Sequence, residues 1–354
     1  MSKTPTVKIL VAYHKPSYLL KSDVFVPIHL GRAVAMEETK DGVSSSDDIK
    51  WLLHNMIGDD TGDNISQLNR YMCEITAQYW AWKNYDKLGN PDYIGLMHYR
   101  RHFIFNEANY KNYTFGFWEN GYRRIDFPYA DDNYKTNIGL NDSIVRECCA
   151  NYDCIVIKEA DMRFQNISTI PEDYEKSIPG TKLKDYHLMI EMVKRLYPDY
   201  SKEADELNNG YHKYYYNMFI MNKKMFNQYC EFLFSVLFEL NKNIDFSDYT
   251  VNGKRTLGYL AELLFTIFIF KQRKDPLFKL RELYSSFLVN PISQEEIDRL
   301  FTEQYITLTK YYVYKFLFKV CKFGGGNLCE QRYIKYKLKK QQLKELKKYK
   351  RKAN

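Results

Sequence analysis

Apolar positions in this chain follow two rhythms, and each predicts a different element. Residues 7–12 (VKILVA) form a continuous apolar run with β-branched members and lead into Tyr13, His14 and Lys15, which reads as a buried strand feeding a polar loop. Residues 93–97 (YIGLM) repeat that signature and deliver His98, Tyr99, Arg100 and Arg101. A third strand is predicted at 151–157 (NYDCIVI) and a fourth at 215–221 (YYNMFIM). The helical rhythm starts near Ile65, with Leu68, Met72, Ile75, Tyr79 and Trp82 stepping by four and three, and stops at the breakers Gly89, Asn90 and Pro91. Two later helices are predicted at 225–240 and 257–270, and the polar, Ser-rich stretch 36–50 reads as a surface loop.

Strands that alternate with helices and end in polar clusters imply an open α/β sheet, in which ligands bind beyond the carboxyl ends of the strands. Past Pro291 the character changes. Residues 311–323 (YYVYKFLFKVCKF) interleave aromatics with lysines, Gly324–Gly326 reads as a hinge, and a Lys-rich stretch follows. We therefore expect an α/β domain over 1–290 and a helical, aromatic and basic extension over 291–354.

Charge sharpens this division. The net charge is +8, but 331–354 holds eleven Lys or Arg against one acid, Glu345, so that stretch carries +10 and the preceding 330 residues carry −2. A basic body would suggest a phosphate-tracking surface for nucleic acid. A neutral body with a basic end suggests anionic lipid or a solvated helix, and nucleic acid is not an expected partner. Met1–Thr6 has no apolar core of the kind a secretion signal needs, and the longest apolar stretch, 257–270, is fourteen residues with Glu262 inside, too short and too charged to span a bilayer. Seven cysteines in no paired spacing suit a reducing compartment. The expectation is a cytoplasmic protein, peripheral on the inner face of the membrane.

Three strand-end clusters could carry chemistry: Tyr13 to Lys15, His98 to Arg101, and Asn217. Two consecutive arginines after a buried strand are costly to desolvate unless an anion meets them, so a diphosphate fits; a structural ion pair is the other reading. Asp63 and Asn64, in Gly62–Ser66 (GDNIS), could hold a ribose or phosphate, or simply cap the helix that follows. Trp80 and Trp82 suit either a core or a sugar platform, and Glu262 on its apolar helix is either a paired acid or a base with a displaced pKa. No GxGxxG, Walker loop, HExxH, GxSxG or Asp-x-Asp occurs. Glu159-Ala160-Asp161 is the nearest acidic substitute, which leaves use of Mn2+ or Mg2+ open.

In order along the chain, GDNIS (62–66), CEITAQYWAWKN (73–84), YIGLMHYRRHF (93–103), YYNMFIM (215–221) and GYLAELLF (258–265) resemble the bacterial family catalogued as domain of unknown function 4422. Its members sit in capsule and O-antigen gene clusters and are regarded as glycosyltransferases. The resemblance implies a GT-A-like, Rossmann-type, mostly parallel sheet flanked by helices, with a UDP-sugar as donor and a lipid-linked saccharide as acceptor. UDP-galactofuranose or UDP-galactose is the implied donor. It places Tyr13, His14, Asp63 and Asn64 on the uridine side. His98, Tyr99 and Arg100 stand where a GT-A enzyme carries Asp-x-Asp, Arg101 beside them binds the donor, Asn217 lies near the acceptor or donor sugar, and Glu262 is the base of an inverting displacement. Leu263 replaces an arginine usual in the family and removes a partner for Glu262. The rival class is a non-catalytic carbohydrate- or nucleic-acid-binding module whose aromatics stack on sugars or bases.

Overall fold

Strand Val7–Tyr13 (β1) is buried on both faces beyond the half-buried Lys8, as its apolar run Ile9–Ala12 requires, and so it lies inside the sheet, not at an edge. A computed structural model of the chain describes residues 4–39, 42–107, 117–119, 122–127, 130–289 and 312–313. The other strands are β2 (Phe25–His29), β3 (Ile57–Gly58), β4 (Tyr93–His98), β5 (Arg101–Phe103), β6 (Phe117–Glu119), β7 (Tyr122–Phe127), β8 (Cys154–Ile157), β9 (Ala160–Asp161), β10 (His212–Lys213), β11 (Phe219–Asn222), β12 (Leu280–Leu283) and β13 (Ser285–Leu288). The helices are α1 (Ser46–Asn55), α2 (Asn69–Met72), α3 (Ile75–Lys83), α4 (Asp132–Ile138), α5 (Asp142–Cys149), α6 (Ile170–Ser177), α7 (Leu183–Leu196), α8 (Ser201–Asn209), α9 (Lys223–Asn243) and α10 (Thr256–Gln272).

The architecture is α/β. Across the sheet the order is β3, β2, β1, β4, β11, β8, β12, and every neighbouring pair is parallel except the two that β11 makes. After β4 the chain turns back at Tyr99–Arg100 into β5, which pairs with β13, and β7 and β6 continue that ribbon. Contacts group residues up to Asp126 together with Thr136–Phe287 into one unit, and Phe127–Lys135 with the described residues from Leu288 onward into another.

Alternation along the strands builds the core. Leu10 and Ala12 of β1, Leu96 of β4, Val156 of β8 and Phe219 of β11 share one cluster with α3, α7, α9 and α10. α10 is apolar around its whole circumference and thirteen of its residues are buried, so it lies within the core. Its packed phenylalanines Phe265 and Phe268 and their neighbours each stabilise the fold by about 1.5–3 kcal/mol through burial. α9 begins at an Asn222 cap whose side chain accepts from the Met225 N–H at 2.9 Å, and it outruns the predicted helix by a few residues at each end.

The structure departs from three sequence expectations. The helix read from Ile65 to Gly89 is broken: a 3-10 turn at Ser66–Leu68, α2, α3 and a 3-10 turn at Tyr85–Leu88 follow one another, and Cys73 interrupts the run with φ 53°. The fourth strand starts only at Phe219, because Tyr216 (φ 72°) and Asn217 (φ 50°) leave the extended region. The loop 36–50 ends earlier, since Ser45 caps α1 by accepting from the Asp48 N–H at 3.1 Å. Among the described residues no helix is long and apolar enough to cross a membrane. The basic stretch 331–354 and nearly all of 311–323 lie outside the described residues.

Candidate active site

Parallel neighbours end together, so β1, β2 and β4 bring His14, His29 and His98 to one edge of the sheet. There they border a cavity of about 530 Å3, lined also by Tyr99, Arg100 and Arg101. The Tyr99 N–H donates to the Ala12 carbonyl at 3.0 Å and keeps the turn after β4 against β1. His14 meets the Tyr99 ring edge-on at 5.1 Å between centroids. Arg100 lies 4.8 Å above the Phe287 ring and Arg101 4.5 Å above the Tyr216 ring. Among the described residues neither guanidinium is paired with a carboxylate, and the buried Arg101 Nε has no hydrogen-bond partner. Two cations held by aromatic faces, with no carboxylate in ion-pair contact among the described residues, leave positive charge that an anion could meet.

Because β11 runs against β4 with Phe219 opposite Leu96, the residues before β11 arrive beside His98. This is where the two left-handed residues fall. For a tyrosine and an asparagine such backbone costs about 1–2 kcal/mol each, so neighbouring contacts must hold it. The contacts are specific. His98 Nε2 donates to the Tyr216 carbonyl at 2.7 Å, which fixes the tautomer because a carbonyl only accepts. The Tyr216 backbone also faces the Glu262 carboxylate and favours its ionised form. Asn217 Nδ2 donates to Glu74 Oε1 at 2.9 Å and, more weakly, to the Gly258 carbonyl at 3.4 Å.

These bonds set the electrostatics. Burial raises the Glu262 carboxyl from 4.5 to about 7; the nearby Lys213 opposes that rise and the Glu74 charge adds to it. Burial also lowers His98, against the pull of Glu74, so its imidazole is neutral at pH 7. His29 is lowered to about 4 by burial and by the Arg32 charge. On the far wall Lys213 and Asp173, 5% and 1% exposed at their side chains, form a buried ion pair, and Ser177 Oγ donates to Asp173 Oδ1 at 2.7 Å. Arg255 Nε donates to Cys73 Sγ at 3.2 Å and its NH1 to the Tyr259 hydroxyl at 2.8 Å.

His14, His98, Tyr99, Arg100, Arg101 and Glu262 are thus brought to one cavity, whereas Tyr13, Asp63, Asn64 and Asn217 do not line it. Tyr13 is fully buried, its hydroxyl donating to the Tyr18 carbonyl and accepting from the Leu20 N–H, both at 2.9 Å. Asn64 Oδ1 accepts from the Ser66 N–H at 3.2 Å and Asp63 Oδ1 accepts from the Tyr79 hydroxyl at 3.1 Å, so this pair shapes the turn before the helix. Asn217 supports the cavity wall from behind. Trp80 is buried in the core, and Trp82 stacks on Phe234 at 5.7 Å. Glu159 and Asp161 form ion pairs with Arg273 and Arg163, both at 2.6 Å, away from the cavity. Among the described residues no three His, Cys, Asp or Glu side chains are grouped to hold a metal ion.

Several cavity residues escaped the sequence reading. His29 ends β2, and the run FVPIH followed by Leu30 and Gly31 had the same strand-end form as the clusters that were recognised. Gly31 (φ 58°) must be glycine, since a Cβ there would sit 2.5 Å from Asn69 Oδ1. Asp59, fully buried, holds this corner by accepting from the Gly31 N–H at 2.7 Å, the Arg32 N–H at 3.0 Å, and the Ser66 and Thr76 hydroxyls at 2.6 Å each. Glu74 and Lys213 had no sequence signal of their own.

The chain matches the model of a family described as domain of unknown function (DUF4422) over residues 8–273. Among solved structures it is similar to the apo form of a protein described as the WbbM bifunctional glycosyltransferase, with 35% identity and a TM-score of 0.69. That likeness covers 80% of this chain and 46% of the other, so this chain spans less than half the length of that protein. No curated protein matches.

Proposed function

We propose, from the premise that this chain belongs to the DUF4422 family, that it is a glycosyltransferase that moves a sugar from a UDP-sugar to a hydroxyl of a lipid-linked saccharide. The observation that carries the reading is one cavity that holds two guanidinium groups, Arg100 and Arg101, in no ion pair among the described residues, together with Glu262, whose carboxyl titrates near neutrality. The name of the similar structure supports the reaction class.

In this reading the acceptor oxygen attacks the anomeric carbon and the bond from that carbon to the diphosphate breaks. UDP departs with the electron pair, and the hydroxyl proton passes to Glu262. A carboxyl titrating at about 7 is substantially ionised at cytoplasmic pH and still basic enough to take that proton. Arg100 and Arg101 stabilise the negative charge that develops on the leaving diphosphate. His98 donates its Nε2 proton to the Tyr216 carbonyl and so serves the wall that carries Glu262. His14, Tyr99 and the Gly31 corner border the space for the nucleotide. UDP-galactofuranose or UDP-galactose is the donor expected from the family resemblance, an inverting outcome follows from direct attack, and the product belongs to a capsule or O-antigen pathway. The +10 charge of 331–354 supports attachment to an anionic membrane face.

Calorimetric titration with UDP tests the nucleotide half of this reading, with manganese and with EDTA, on wild type and Arg100→Ala. Metal-independent binding weakened tenfold or more, on the order of 1.4 kcal/mol, in the variant is expected. Binding only with manganese would assign the diphosphate charge to a metal ion, and no binding of UDP would overturn the choice of donor.

A further inference from the structure

Glu74 borders the cavity beside Glu262, and nothing in the reaction above uses it. One of its oxygens, Oε1, is taken by Asn217; the other, Oε2, is engaged by no side chain among the described residues. Three features aim it. Cys73, immediately before it, has φ 53° and breaks the helix there, so that Glu74 stands at the start of α3. Asn217 is completely buried and in the left-handed region, a conformation that asparagine tolerates better than most residues. The neighbouring Tyr216 accepts from His98 at its carbonyl, and its backbone faces Glu262. One strained dipeptide therefore holds Glu74 and the imidazole and lies against Glu262.

We propose that Glu74 is a second substrate-facing carboxylate that accepts a hydrogen bond from a sugar hydroxyl at Oε2, and that Asn217 is the positioning residue that aims it. This rests on the glycosyltransferase reading. No covalent change occurs at Glu74; it orients the sugar, and its charge keeps Glu262 from ionising too readily. The other charged or titratable groups facing the pair are Lys213 with its partner Asp173, Arg101, His98, Arg255 and Tyr259. Of these, Lys213 and Arg101 favour the ionised form of Glu262 and so oppose Glu74.

A double-mutant cycle with Glu74→Gln and Asn217→Gly tests this, because glycine keeps the left-handed backbone while the side chain that bonds Glu74 is removed. Each single variant is expected to lower kcat with a nucleotide sugar on the order of tenfold or more and to leave the UDP dissociation constant within about twofold of wild type. The pair is expected to lose no more than Glu74→Gln alone. The ionisation seen in the kcat–pH profile should move to lower pH in both single variants, which a merely structural role of Asn217 would not produce. Full additivity, or an unchanged kcat and pH profile in Asn217→Gly, overturns the proposal. If wild type turns over no nucleotide sugar, the glycosyltransferase reading itself fails. The Glu262 carboxyl band followed by infrared titration then still decides the pairing, since it must titrate lower in both variants.

Discussion

His98 Nε2 lies 2.7 Å from the carbonyl oxygen of Tyr216, a bond between residues 118 positions apart in the chain. It joins the end of β4 to the turn before β11, and the backbone of the same residue faces Glu262. The reversed direction of β11 makes this join, because only an antiparallel strand starts where β4 ends. A sheet that was parallel throughout would have placed Tyr216 and Asn217 at the opposite edge, away from the arginines.

The Asp59 carboxylate accepts from two backbone N–H groups and two hydroxyls with no exposure to solvent. Replacing it by alanine leaves those donors buried and unmatched, at about 1–3 kcal/mol for each that water cannot reach. Asp59→Ala is expected to lower the urea midpoint by the equivalent of about 3 kcal/mol or more. Where the variant stays folded, it should raise KM for the donor more than it lowers kcat, because the Gly31 corner loosens. An unchanged midpoint would show that the corner is held by other means.

Much of this was legible beforehand, and the failures share a cause. Residues 7–12 and 93–97 were readable as strands because burial on both faces leaves them almost wholly apolar, with Lys8 the one charge, and His98 to Arg101 stood out because charge follows such a run. The turn at Tyr216 and Asn217 was read as strand because YYNMFIM has the composition of one, while two positive φ angles leave no trace in composition. The break at Cys73 was hidden in the same way by a periodicity that continues across it. Asp59 and Asp63 lie in one acidic cluster, and only the tertiary fold decides that Asp59 is enclosed and Asp63 is exposed at a turn.

The Lys213–Asp173 pair is buried on both sides, so removing one partner strands the other charge. Lys213→Met is expected to cost about 3–5 kcal/mol of stability, and Lys213→Met with Asp173→Leu to recover most of it, measured by urea denaturation. Equal stability of the single and double variants would contradict this.

Glu262 gives the stability a pH dependence of definite sign. Its folded pKa, about 7, exceeds the ordinary 4.5, so its contribution is fully present below pH 4.5 and is lost as pH rises through 7. Ionising it in place costs up to about 3 kcal/mol. Glu262→Gln should therefore unfold at higher urea than wild type at pH 8, with the difference disappearing as pH falls below 4.5. A difference of equal size at both ends of that range would mean that packing, not charge, is responsible.

The most direct test of the account is the rate of UDP release from a nucleotide sugar in the presence of acceptor, compared between wild type and Glu262→Gln at matched UDP affinity. The account predicts turnover by wild type that rises with pH through an ionisation near 7, and a loss on the order of a hundredfold or more in the variant, whose UDP binding is retained. Turnover by Glu262→Gln at the wild-type rate, with the same pH profile, would contradict it.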